Sequence, residues 1–170
     1  MALLRIRTYP DRVLREKSGD ISNITGDLQR LMDDMVETMY AAPGVGLAAP
    51  QVGVSKNLLV IDVNSREEKQ KYPLITLVNP VIVAAEGISE EEEGCLSLPD
   101  FKSVVERASK VFVKGFDREG KPVEIEAGGL LAIALQHEID HLRGKLILDK
   151  ASPLKRSLYK KRIFKKGRTE

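Results

Sequence analysis

The sequence predicts a single α+β domain with largely antiparallel sheets and a C-terminal helix. Three observations carry this. A helix-patterned segment stands near the start. Residues 57–126 break into short β-branched runs separated by Gly, Pro, Asn and Asp. Two more helical segments follow. At 170 residues with 42% apolar composition, the chain can bury a core without disulfide staples.

The first helix is predicted from about Thr25 to Tyr40. Leu28, Leu31, Met32, Met35 and Met39 keep the spacing of one buried face, Thr25 is a suitable N-cap, and Pro43-Gly44 stops the helix. The stretch from Gly44 to Gln51 is patterned as neither helix nor strand. Strands are predicted at Leu58–Val63, Leu74–Val83, Val104–Val105, Val111–Phe116 and Val123–Glu126, with Asp117–Gly120 as a hairpin loop. A second helix runs from about Leu130 to Arg143 and ends at Gly144. Ser152-Pro153 opens the last, with Pro in the tolerated first turn.

Composition narrows the function classes. No apolar run approaches the roughly 18 residues of a membrane span, so no membrane partner is expected. The N-terminal Met-Ala-Leu-Leu-Arg-Ile-Arg lacks an apolar export region, and one cysteine fits a reducing compartment; a cytoplasmic protein is expected. The absence of Trp and an aromatic content of 5% argue against a base-stacking surface, and no DNA partner is expected. The net charge of +2 conceals a basic segment. Residues 151–170 carry a local charge of +7, so the remaining 150 residues sum to −5.

The sharpest signal is His137-Glu138-Ile139-Asp140-His141. Two histidines four apart on a helix face one side and can reach one metal ion. They are the only histidines in the chain. Neutral imidazole suits zinc, iron, cobalt or nickel, and Glu138 is placed to act as a base on a metal-bound water. The alternative is a pair of unrelated surface histidines, against which the apolar run Leu130–Leu135 argues.

A catalytic metal usually has three protein ligands. The metzincin continuation fails at Ile147, which cannot bind metal, and the downstream acids Asp149 and Glu170 are badly placed. The third ligand is therefore expected upstream, and Cys95 in Glu93-Gly94-Cys95-Leu96-Ser97 is the candidate: its thiolate is a strong, soft ligand. A lone cysteine is otherwise most often a buried, inert side chain. In the Gly44–Gln51 stretch, Gln51 is a candidate amide donor to a developing oxyanion, and the glycines let main chain pair with an extended peptide. Its plain alternative is a connecting loop.

Gly44-Val45-Gly46-Leu47-Ala48-Ala49-Pro50-Gln51, Glu93-Gly94-Cys95-Leu96-Ser97 and Gln136-His137-Glu138-Ile139-Asp140-His141 together resemble the three signature motifs of peptide deformylase, in the family's order. The resemblance spans essentially the whole chain, including Tyr9–Leu14. It implies an α+β fold built around a central metal-binding helix, with residues 1–150 as the catalytic body and 151–170 as a basic C-terminal helix or tail of the same domain. It implies a hydrolase that removes the N-formyl group from the initiator methionine of nascent polypeptides and releases formate. Cys95, His137 and His141 would hold one divalent metal, Fe²⁺ in the cell and Zn²⁺, Ni²⁺ or Co²⁺ in purified protein. A water on that metal would attack the formyl carbon with Glu138 as base and then acid, while the Gln51 amide and Leu96 N–H stabilise the oxyanion. Gly44 and Gly46 would contact the peptide backbone, and Val45, Ala134 and Leu135 the methionine side chain; the alternative for each is plain core packing. Glu93 and Arg107 are expected to pair behind Cys95, against the alternative of a solvated acidic run at Glu90–Glu93. The basic segment is expected to contact the ribosome, with Leu154, Leu158, Ile163 and Phe164 packing it on the body; the alternative is a solvated tail. Two other functions compete. One is a metallopeptidase cutting internal amide bonds. The other is a non-catalytic, metal-stabilised interaction protein, which has no need of Glu138.

Overall fold

The computed structural model describes residues 2–64 and 72–169, and for 167–169 the backbone path alone. Helix α1 spans Gly26–Ala41, α2 Gly129–Leu142 and α3 Pro153–Thr169. The strands are β1 Gly46–Ala48, β2 Leu58–Ile61, β3 Ile75–Glu86, β4 Ser89–Cys95, β5 Leu98–Arg107, β6 Lys110–Phe116 and β7 Pro122–Gly128. All strand pairs are antiparallel, in a five-stranded sheet ordered β1-β2-β3-β6-β7 and a β4-β5 ribbon. No helix among the described residues is long and apolar enough to cross a membrane.

The five-stranded sheet is buried on both faces at β1 and β2, and β2 shows why. Its four apolar residues are all fully buried. Leu59 and Ile61 join the α2 residues Leu131, Ala132, Leu135 and Ile139 in one core. Leu58 and Val60 join Leu28, Met32, Met35 and Met39 of α1 in another. Alternate residues of a strand point to opposite faces, so one short apolar run serves two helices. Leu31, expected on the α1 face, sits only partly buried at its margin. Thr25 caps α1 as expected, accepting from the Leu28 N–H.

A third core joins the ribbon to both ends of the chain: Leu14, Leu98, Phe101, Val105, Leu146–Leu148 and Tyr159. α3 enters it through Tyr159, with Ile163 at its edge. Leu154, Leu158 and Phe164, expected to pack on the body, are 70%, 58% and 63% exposed. The helical repeat explains the difference: Tyr159 and Ile163, four apart, define the inward face, and Leu154 and Leu158 fall on the opposite one.

Two further segments depart from the sequence pattern. Gly46–Ala48 is a strand, followed by a 3₁₀ turn at Ala49–Val52. The acidic run Glu90–Glu93 lies within β4, held by its ladder to β5.

Candidate metal centre and active site

Helix α2 is anchored at both ends before it presents any chemistry. It leaves β7 directly, and after its last turn the chain reverses at Gly144 with φ of +74°. A Cβ at Gly144 would lie 2.5 Å from the Arg15 carbonyl oxygen, so only glycine permits this approach. His137 and His141 stand one turn apart on the helix face turned toward the ribbon. Beside them, Leu96 and Ser97 form the turn between β4 and β5, which brings Cys95 to the histidines.

Cys95 Sγ lies 3.3 Å from His141 Nε2, which lies 3.3 Å from His137 Nε2. The three donor atoms are all within 4.8 Å of one another. A tetrahedral ion with bonds of about 2.0–2.3 Å separates its ligand atoms by about 3.3–3.6 Å. The donor set and its spacing therefore fit a divalent metal, and three protein donors leave a fourth position open.

The ring orientation of His137 supports the same reading. Its Nδ1 is 2.9 Å from Glu93 Oε1, which leaves Nε2 to the centre. Glu93 and Arg107 form the expected ion pair, with Arg107 Nε and Nη2 donating at 2.6 and 2.9 Å. Arg107 Nη1 also donates to Asp140 at 3.0 Å. Burial opposes the Glu93 charge, but His137 and Arg107 outweigh it and hold the carboxyl below its ordinary value. Burial likewise disfavours charge on both imidazoles. At His137, Glu138, Cys95 and Glu93 overcome it and raise the pKa; at His141, burial and the cations His137 and Arg107 push it well down.

Glu138, next to His137 on α2, lies against Gly46 of β1. It is 4% exposed, its Oε1 is buried without a hydrogen-bond partner, and burial pushes its carboxyl up to about 7. A Cβ at Gly46 would sit 2.6 Å from Glu138 Oε2, so the glycine makes room for the carboxylate. Gln51, 2% exposed, directs Nε2 to Ser97 Oγ at 3.1 Å, with Cys95 Sγ 3.8 Å away. One small volume thus gathers an unpartnered buried carboxylate, three convergent metal donors and a fixed amide.

A family model for polypeptide deformylases matches residues 3–157. The chain belongs to the peptide deformylase family. A peptide deformylase of Thermodesulfovibrio yellowstonii is 59% identical over 163 residues, covering 96% of this chain and 98% of the relative. One from Syntrophobacter fumaroxidans is 52% identical over 98% of this chain and 96% of its own. Among solved peptide deformylases, that of Legionella pneumophila superposes with a TM-score of 0.89 at 48% identity, covering 98% of this chain and 96% of its own. That of Ehrlichia chaffeensis, in complex with actinonin, gives 0.91 at 38% identity over 98% of both chains.

Around the deformylase centre, Gly44 and Val45 keep partial exposure, whereas Gly46, Ala134 and Leu135 are buried. Ala134 and Leu135 belong to the α2 core, with Val45 packed against its edge. Two side chains are given no role by the sequence reasoning. Asp140 pairs with Arg107, and Ser97 bonds Gln51; both stand inside the quoted motifs, but their roles are not readable there, since each finds its partner across the fold.

Proposed function

We propose that this chain removes the N-formyl group from the initiator methionine of nascent polypeptides, releasing formate and a free N-terminus. The convergence of Cys95, His137 and His141 beside the buried, unpartnered Glu138 carries the reading.

Cys95, His137 and His141 hold one divalent metal: Fe²⁺ in the cell, with Zn²⁺, Ni²⁺ or Co²⁺ in purified protein. When bound, such an ion supplies Lewis acidity, lowering the pKa of a water and polarising a carbonyl. Affinity order favours zinc over iron, so metal supply decides the occupant. Glu138 accepts the proton of the attacking water and returns it to the departing amine; the Oε1 of its buried carboxylate has no competing hydrogen-bond partner. The Gln51 amide and the Leu96 N–H donate to the formyl oxygen as charge gathers on it. Val45, Ala134 and Leu135 border the methionine side chain, and Gly44 and Gly46 pair with the peptide backbone. The basic α3 meets the ribosome, which places the enzyme in the cytoplasm beside its substrate.

The test compares formate release from a formyl-Met peptide with cleavage of an internal amide bond. Formate release without internal cleavage is expected, and Glu138→Gln should keep its metal and lose turnover. Internal cleavage without formate would assign a metallopeptidase instead.

A further inference from the structure

Gln51 is held at three atoms. Its side-chain Oε1 accepts from the Ala48 N–H at 2.9 Å, and its Nε2 donates to Ser97 Oγ at 3.1 Å. Its backbone carbonyl accepts from the Arg7 N–H at 2.6 Å. Ser97 is fully buried, and its own carbonyl accepts from the Tyr9 N–H at 2.8 Å. Arg7 and Tyr9, two residues apart, thus tie the loop carrying Gln51 to the turn carrying Ser97.

These bonds have a chemical consequence. Reversing the Gln51 amide would set its NH₂ against the Ala48 N–H, two donors face to face, so the NH₂ must lie on the Ser97 side. An amide NH₂ has two hydrogens. Ser97 Oγ takes one. The other donates weakly to Cys95 Sγ at 3.8 Å, and so is aimed into the Cys95–His137–His141 centre, where a formyl oxygen could replace the sulfur as its acceptor. Without the hydroxyl, a buried N–H loses its acceptor, and the amide plane is free to turn toward another.

We infer that Ser97 is a positioning residue for Gln51, its hydroxyl fixing the amide plane so that the second N–H meets the formyl oxygen. This rests on the reading of Gln51 as an oxyanion donor. The side chain of Ser97 touches no reacting atom; it acts through Gln51, and the Arg7–Tyr9 segment holds the two at their working separation. A donor fixed before the reaction needs no reorganisation as charge develops.

A double-mutant cycle on the metal-loaded enzyme separates positioning from packing. Gln51→Ala should lower kcat by about 10²–10³-fold with little change in KM. Ser97→Ala should lower kcat roughly 5–10-fold, with KM and metal content within twofold of the parent. In the Gln51→Ala background, Ser97→Ala should cost nothing further. If Gln51→Ala leaves kcat intact, the oxyanion reading itself fails. If Gln51→Ala is slow but Ser97→Ala costs the same factor in both backgrounds, or leaves kcat unchanged in the parent, Ser97 is a packing residue and the inference is overturned. Should Ser97→Ala not fold, Arg7→Pro, which deletes the N–H holding the Gln51 carbonyl, goes through the same cycle with the same expected and overturning results.

Discussion

Cys95 is the one sulfur donor at a centre whose other two donors are imidazoles, and its partner atoms sit at metal-ligand separations. Cys95→Ala leaves two histidines on one helix. It should reduce metal content in dialysed protein and lower turnover by orders of magnitude; full metal content with near-parental turnover would remove Cys95 from the site. Gly46 sets a second limit at the same scale. The Cβ of Gly46→Ala would meet Glu138 Oε2 at 2.6 Å and its Cδ at 3.0 Å, so the carboxylate must shift. A displacement near 1 Å at a reacting group costs about 10²-fold in rate. Gly46→Ala should therefore show that order of loss in kcat with metal content retained, measured by formate release. A parental rate would mean that Glu138 has room the geometry does not show.

Among the elements, β4 and β5 carry more of the site than their length suggests, because Arg107 of β5 braces Glu93 of β4 and Asp140 of α2 together. Arg107→Met keeps the bulk but strands a buried carboxylate. It should cost about 3–5 kcal/mol in denaturant unfolding. With Glu93 no longer fixing His137, metal affinity should fall about 10–100-fold by competition with a chelator. An unchanged affinity would separate the brace from the centre. This brace also marks the boundary of what sequence conveys. The α1 core face is readable from Leu28, Met32, Met35 and Met39, because a solvent-backed helix repeats its burial every 3.6 residues. The face of α2 that carries the clustered His137 and His141 is readable from their spacing of four. β4 is not: Glu90–Glu93 has poor strand propensity, and the strand exists through its ladder to β5 and the burial of Glu93 against Arg107, fourteen residues away. β1 escapes for a related reason. Three residues buried on both faces leave no alternation to detect, and Gly46 is there for Glu138, not for the strand. The donor triad is legible because residue chemistry marks it, whereas the hydrogen bonds of Ser97 and Asp140 depend on neighbours that only folding supplies.

At the scale of the whole molecule, the chain closes on itself and then sends out a charged helix. Closure runs through the fork from Arg15 to Asp149, at 2.6 and 2.9 Å across 134 residues. Burial raises the Asp149 carboxyl, but the Arg15 bond and the Leu146 N–H outweigh it, so its folded pKa lies below 3.8. A depressed carboxyl contributes stability above its unfolded pKa and loses it as pH falls through the folded one. For a pair this exposed the contribution is at most about 1 kcal/mol. Asp149→Asn should lower Tm slightly at pH 6, and the deficit should vanish once pH falls well below 3.8; a deficit that persists there would reflect packing instead. Beyond this closure, α3 rests on the body through Tyr159 and Ile163, with Tyr159 Oη donating to the Pro99 carbonyl at 3.1 Å. Leu154 and Leu158 stay outside with most of the lysines, on a helix whose charge opposes that of the rest of the chain. Arg156 and Arg162 also donate to carbonyls of the body, while the lysines of α3 are exposed. An exposed basic helix suits phosphate contacts, and holding the enzyme beside emerging chains would raise its effective substrate concentration. Replacing Lys160, Lys161, Lys165 and Lys166 with Gln leaves Tyr159 and Ile163 in place. Turnover on a short formyl-peptide should stay at the parental value, while ribosome binding measured by co-sedimentation should weaken and lose much of its salt dependence. If the parent does not bind ribosomes at low salt, or the variant binds as well, α3 is a solvated helix that serves only to close the third core.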